Sequence, residues 1–155
     1  MVLLIPYDGS ALSKTALLHA ARSATLYEQT PLAVTVIPDS NAAYARENGW
    51  IAEHETFDRA TIVSRLREQV AELAPEADFE YIFVDRAAPS GTISNRIREF
   101  ARERETAAIF IGSENAGHTM LGMDSVGGRV AFEHAADIAI IRNSLPEVEG
   151  GGEDG

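Results

Sequence analysis

The chain has 155 residues, 45% of them apolar and none of them cysteine, which suits one ordinary domain with a continuous core that needs no cross-links. The missing thiols exclude disulfides, zinc–thiolate sites, iron–sulfur clusters and cysteine nucleophiles. Its 24 acidic residues outnumber 13 basic ones, and the field of a net charge of −11 repels nucleic acid and anionic lipid, so neither is an expected partner.

Val2 to Ile5 is a continuous apolar run that stops at the turn formers Pro6-Tyr7-Asp8-Gly9-Ser10, the pattern of a strand buried on both faces. From Ala11 to about Tyr27 the period becomes helical, with Ser10 as N-cap and Leu12, Ala16, Ala20 and Ala24 on one face. Small residues there let the helix lie close to a sheet. Pro31 opens a second buried strand, Leu32 to Ile37, which ends at Pro38-Asp39-Ser40. The stretch from Asp39 to about Gly49 has no clear period and reads as a loop. A helix is predicted to resume near Glu53, with Ile62, Leu66, Val70 and Leu73 as its apolar stripe, and to end at Pro75.

Phe79 to Val84 predicts a third strand that closes at Asp85-Arg86. Ile93, Ile97, Phe100 and Ala101 give an amphipathic helix from about Thr92 to Glu105. Ala107 to Ile111 is the fourth strand and runs into Gly112-Ser113 and a small-residue loop. A short helix from about Ser125 to Ala135 and a fifth strand, Ile138-Ala139-Ile140-Ile141, complete the series. Short apolar strands alternating with helices are the signature of an α/β fold, a doubly wound parallel sheet with helices on both faces. One domain is expected over residues 1–145, followed by an acidic, glycine-rich, disordered tail over 146–155.

Lys14 is the only lysine, so arginine supplies nearly all the positive charge. An acidic, lysine-poor composition resembles that of halophilic proteins, whose surface charge is screened by a salt-rich cytoplasm. No basic and apolar leader opens the sequence and no apolar run reaches membrane-spanning length, so a cytoplasmic location is the expectation.

In such a sheet, ligands bind beyond the carboxyl ends of the strands, where strand order reverses. The residues there are Tyr7-Asp8, Pro38-Asp39, Asp85-Arg86, Gly112-Ser113 and Arg142-Asn143. A carboxylate after the first strand accepts from ribose hydroxyls, and a small-residue loop opening a helix holds phosphates on its N–H groups. Pro6-Tyr7-Asp8-Gly9-Ser10 resembles the opening motif of the universal stress protein family. The run from Ala108 to Gly112 and Ser113, the loop, Ser125-Val126 opening a helix, and the final strand from Asp137 are similar to that family's closing strand, glycine loop, helix and strand.

The resemblance implies strand order 3-2-1-4-5 and a homodimer paired through Ile138, Ala139, Ile140 and Ile141. It also implies a stress-response signalling role with ATP or another adenine nucleotide, or an unidentified protein, as partner. Adenine would lie near Pro6, Tyr7 and Val36, ribose on Asp8, and phosphates along Gly112, Ser113, Gly117, Ser125 and Val126. The loop departs from the family's pattern: Asn115 stands at the second glycine position, the loop is one residue short, and Asp124 replaces the glycine before Ser125. A carboxylate at that helix N-terminus competes with phosphate unless Mg²⁺ bridges the two.

Every one of these residues also has a plainer role. Pro6 and Tyr7 terminate a strand, Val36 is a core residue, Ser125 is an N-cap, and Asp8 can cap its own turn. The histidines at 19, 54, 118 and 134 lack metal-ligand spacing, and neither a nucleophile elbow nor a P-loop occurs. Binding is therefore expected rather than catalysis. Two other readings remain: a phosphoacceptor receiver domain with Asp85 as acceptor and Asp8 as metal ligand, and a slow nucleotide hydrolase. Strand order separates the receiver, which needs the first strand between the second and third.

Overall fold

A computed structural model describes residues 1–112 and 137–141. Its elements are β1 (Val2–Pro6), α1 (Ala11–Tyr27), β2 (Thr30–Pro38), α2 (Ala42–Glu47), α3 (Arg59–Leu73), β3 (Asp78–Val84), α4 (Ser90–Glu103), β4 (Thr106–Gly112) and β5 (Asp137–Ile141). The five strands form one sheet in the order β3-β2-β1-β4-β5, and every pair is parallel. Thus β1 lies between β2 and β4. That is the expected order, and it excludes the receiver arrangement.

The pleat divides the core in two. Leu3, Ile5, Ala33 and Ile37 face one way and pack with Ala16, Leu17 and Ala20 of α1 and Ile62, Leu66 and Val70 of α3. Leu4, Val34 and Val36 face the other way, against Ile97, Phe100 and Ala101 of α4. Leu3, Leu4 and Ile5 are fully buried, which explains an apolar run without alternation: β1 is covered on both faces. Each such side chain contributes about 1.5–3 kcal/mol of hydrophobic burial. The outer strands β3 and β5 are half-buried.

Two expectations about boundaries are corrected. The aperiodic stretch after β2 contains the short helix α2, whose N-cap Asn41 accepts the Tyr44 N–H at 2.9 Å. The helix expected from Glu53 starts at Arg59. Asp58 accepts both the N–H and the hydroxyl of Thr61, at 2.9 and 2.6 Å, and this local capping sets the start. Ser10 caps α1 as expected, accepting from Ser13 N–H at 3.2 Å. The expected helix from Ser125 and the tail over 146–155 lie outside the described residues. No helix among the described residues is long and apolar enough to cross a membrane.

Candidate functional site

The carboxyl end of β1 is held in line past Pro6 by its neighbour. Tyr7 N–H donates to the Val34 carbonyl at 2.8 Å, and the Thr35 hydroxyl donates to the Tyr7 carbonyl at 2.6 Å. Pro6 itself is half-buried and sits opposite Val34. Strand alternation then sends the Tyr7 ring to the same side as Leu3 and Ile5. There it is buried, and its hydroxyl donates to Gln69 Oε1 at 2.7 Å. Burial, with a smaller push from the Asp8 carboxylate, raises the pKa of that hydroxyl above the ordinary tyrosine range. The Tyr7 side chain is thus a core group, and its main chain is what reaches the strand edge. Val36 is also buried, in the α4-side core.

Asp8 is half-buried at the mouth of the sheet and is held from three directions. Its Oδ1 accepts the Ser10 N–H at 2.9 Å, its own N–H donates to Ser13 Oγ at 3.4 Å, and its carbonyl accepts the Trp50 indole N–H at 2.9 Å. Gly9 turns at φ +84, where a Cβ is disfavoured. The turn-capping role of Asp8 is therefore real. It engages one carboxylate oxygen in a bond that also fixes the direction of the other.

Sequence reasoning did not anticipate Trp50, the only tryptophan in the chain. It lies between α2 and α3 and is only 3% exposed. Tyr44 packs on its ring with centroids 5.6 Å apart. Arg65 donates to its carbonyl at 2.8 Å and binds Glu55 at 2.9 and 2.6 Å. Glu55 Oε1 also accepts the Ala52 N–H at 2.6 Å. The Arg65 guanidinium, followed by that N–H, holds the Glu55 carboxyl at a pKa of about 2. The one sequence signal was the chain's single tryptophan, set in a stretch rich in small and polar residues.

Gly112 ends β4 against the first turn of α1. A Cβ there would stand 2.0 Å from the Leu12 carbonyl oxygen and 2.9 Å from Ser13 N. Glycine is thus required by close backbone approach, before any ligand is considered. Ser113, Gly117, Asp124, Ser125 and Val126 lie outside the described residues, as do His118 and His134. Among the described residues no cluster of side chains could hold a metal ion. Ile138, Ala139, Ile140 and Ile141 form β5 at one edge of the sheet, each half-buried.

Asp39 and Asp85, at the ends of β2 and β3, are occupied locally. Arg59 donates to Asp39 through Nε at 3.0 Å and through Nη2, and holds that carboxyl below the ordinary range. Asp85 Oδ1 accepts the Ala87 N–H at 3.0 Å.

The profile of the universal stress protein family matches residues 1–142. Among solved structures, a universal stress protein in complex with cAMP superimposes with a TM-score of 0.55 at 16% identity, covering 93% of this chain and 98% of that one. One from Archaeoglobus fulgidus in complex with dAMP gives 0.54 at 17% identity, covering 92% and 98%. A family protein from Burkholderia pseudomallei gives 0.52 at 16% identity, covering 92% and 96%. At these identities the likeness is one of fold. No curated protein sequence matches the chain.

Proposed function

The chain belongs to the universal stress protein family, and from that premise we propose that it is a stress-response signalling module that binds an adenine nucleotide at the carboxyl ends of β1, β2 and β4. The observation that carries this reading is Asp8. It is an acid at the end of a central strand, beside the switch in strand order, with one oxygen bound to Ser10 N–H. The other oxygen is the acceptor we assign to a ribose hydroxyl. Adenine would lie along Pro6 and the main chain at Tyr7, over the end of β2 at Val36. Phosphates would follow Gly112, Ser113, Gly117, Ser125 and Val126, with Mg²⁺ bridging them to Asp124. Two solved relatives of the same fold are named as complexes with cAMP and dAMP, which favours an adenine ligand.

The module would work in a salt-rich cytoplasm as a homodimer joined along β5, whose outer edge has no partner strand among the described residues. Mg²⁺–ATP titrated calorimetrically into the nucleotide-stripped chain at high KCl should bind in the micromolar range. Asp8→Ala should abolish this. Asp8→Asn keeps an oxygen for Ser10 N–H, so it should leave stability within about 0.5 kcal/mol of wild type while weakening ATP at least about tenfold. Absence of binding up to millimolar ATP would overturn the nucleotide reading and leave a dimeric protein-binding member.

A further inference from the structure

Beyond β2 on the same edge of the sheet, a cavity of about 590 Å³ opens at the carboxyl ends of β2 and β3. Its lining includes Arg59 from α3, Arg86 from the turn after β3 and Arg96 from α4. Three arginines from separate elements thus line one hollow, against two acids, Asp39 and Asp85. On a chain with 24 acidic residues against 13 basic ones, this local excess of cations runs against the overall charge.

The two acids in the lining do not neutralise all three. Asp39 is bound by Arg59, which lies over the Phe83 ring 4.4 Å from its centroid and is thereby fixed. Asp85 directs Oδ1 to the Ala87 N–H of its own turn. Arg96 approaches Glu99 through Nε at 3.6 Å, and its Nη groups make no hydrogen bond or ion pair among the described residues. The Arg86 side chain has no hydrogen bond or ion pair among the described residues. Its carbonyl, however, accepts the Asn41 side-chain N–H at 2.7 Å, which pins the backbone from which the guanidinium projects.

We propose that this cavity is a binding site for a phosphoryl group, held by the guanidinium forks of Arg86 and Arg96 with Arg59 as a fixed third cation. Planar forks with paired N–H donors match phosphate oxygens, and arginine makes this contact better than lysine. The site is separate from Asp8 and does not depend on nucleotide binding there. Its phosphoryl group is that of a free anion such as phosphate or pyrophosphate.

Inorganic pyrophosphate titrated into the full chain at low KCl should bind saturably and weaken as KCl is raised. The double variant Arg86→Ser, Arg96→Ser should lose this binding by at least about tenfold, each lost charged hydrogen bond contributing. Arg86→Lys with Arg96→Lys keeps the charges and loses the forks, and should fall between the two. Both residues are exposed, so circular dichroism should show unchanged folding. Pyrophosphate binding of equal strength in wild type and in both double variants, or none up to millimolar concentration, would overturn the site.

Discussion

The Leu12 carbonyl oxygen, 2.0 Å from where a Gly112 methyl would sit, belongs to the first turn of a capped helix and has no rotamer to move into. Relief would require α1 to lift from β4 or the Ser10 cap to break. Gly112→Ala should therefore cost about 3 kcal/mol or more, at the upper end of what overpacking does, read as a lowered urea midpoint with an unchanged m-value. The glycine was legible as special, but its reason was not, because nothing in the local sequence says that β4 runs beside α1. Asp8 was legible as a strand-end acid and its turn bond was anticipated. The Tyr7 hydroxyl finds its partner in Gln69, which is 62 residues away. That distance is why the motif by itself does not show that the Tyr7 ring packs in the core.

The segment between β2 and α3 illustrates how an element without periodicity is still specified. Asn41 and Asp58 cap α2 and α3 at either end, and Trp50 anchors the middle by donating to the Asp8 carbonyl. The Glu55–Arg65 pair ties the segment to α3. Because the Glu55 carboxyl titrates near 2 instead of 4.5, the pair stabilises the folded state fully above the unfolded value. That contribution should fade as the pH falls from about 4.5 toward 2. Urea midpoints measured from pH 5 to pH 2 should fall less steeply in Glu55→Gln than in wild type. Equal slopes would mean that solvent screens the pair.

At the scale of the whole molecule, β3 and β5 are the outer strands of the sheet among the described residues. A homodimer joined along β5 should sediment as a dimer in wild type and as a monomer in Ile140→Lys, since a lysine on an edge strand opposes edge-to-edge pairing. A wild-type monomer would remove that interface. The net charge of −11 makes self-repulsion a molecule-wide term. Raising KCl shortens the Debye length from about 10 Å at 0.1 M to about 3 Å at 1 M. Tm should accordingly rise over that range, and an unchanged Tm would argue against a surface adapted to salt.

The sequence by itself determined the α/β class, the positions of the five strands, the buried faces of α1, α3 and α4, and Asp8 as the acid at the end of β1. These follow from local period, turn chemistry and caps, all encoded within a few residues of one another. Comparison with a family pattern supplied the strand order, which the structure shows. Only the tertiary structure decided that Trp50 stands beside Asp8, that Tyr7 faces the core, that Gly112 abuts Leu12, and that three arginines from separate elements line one hollow. Each brings together residues distant in the chain, and that depends on how the helices are laid across the sheet.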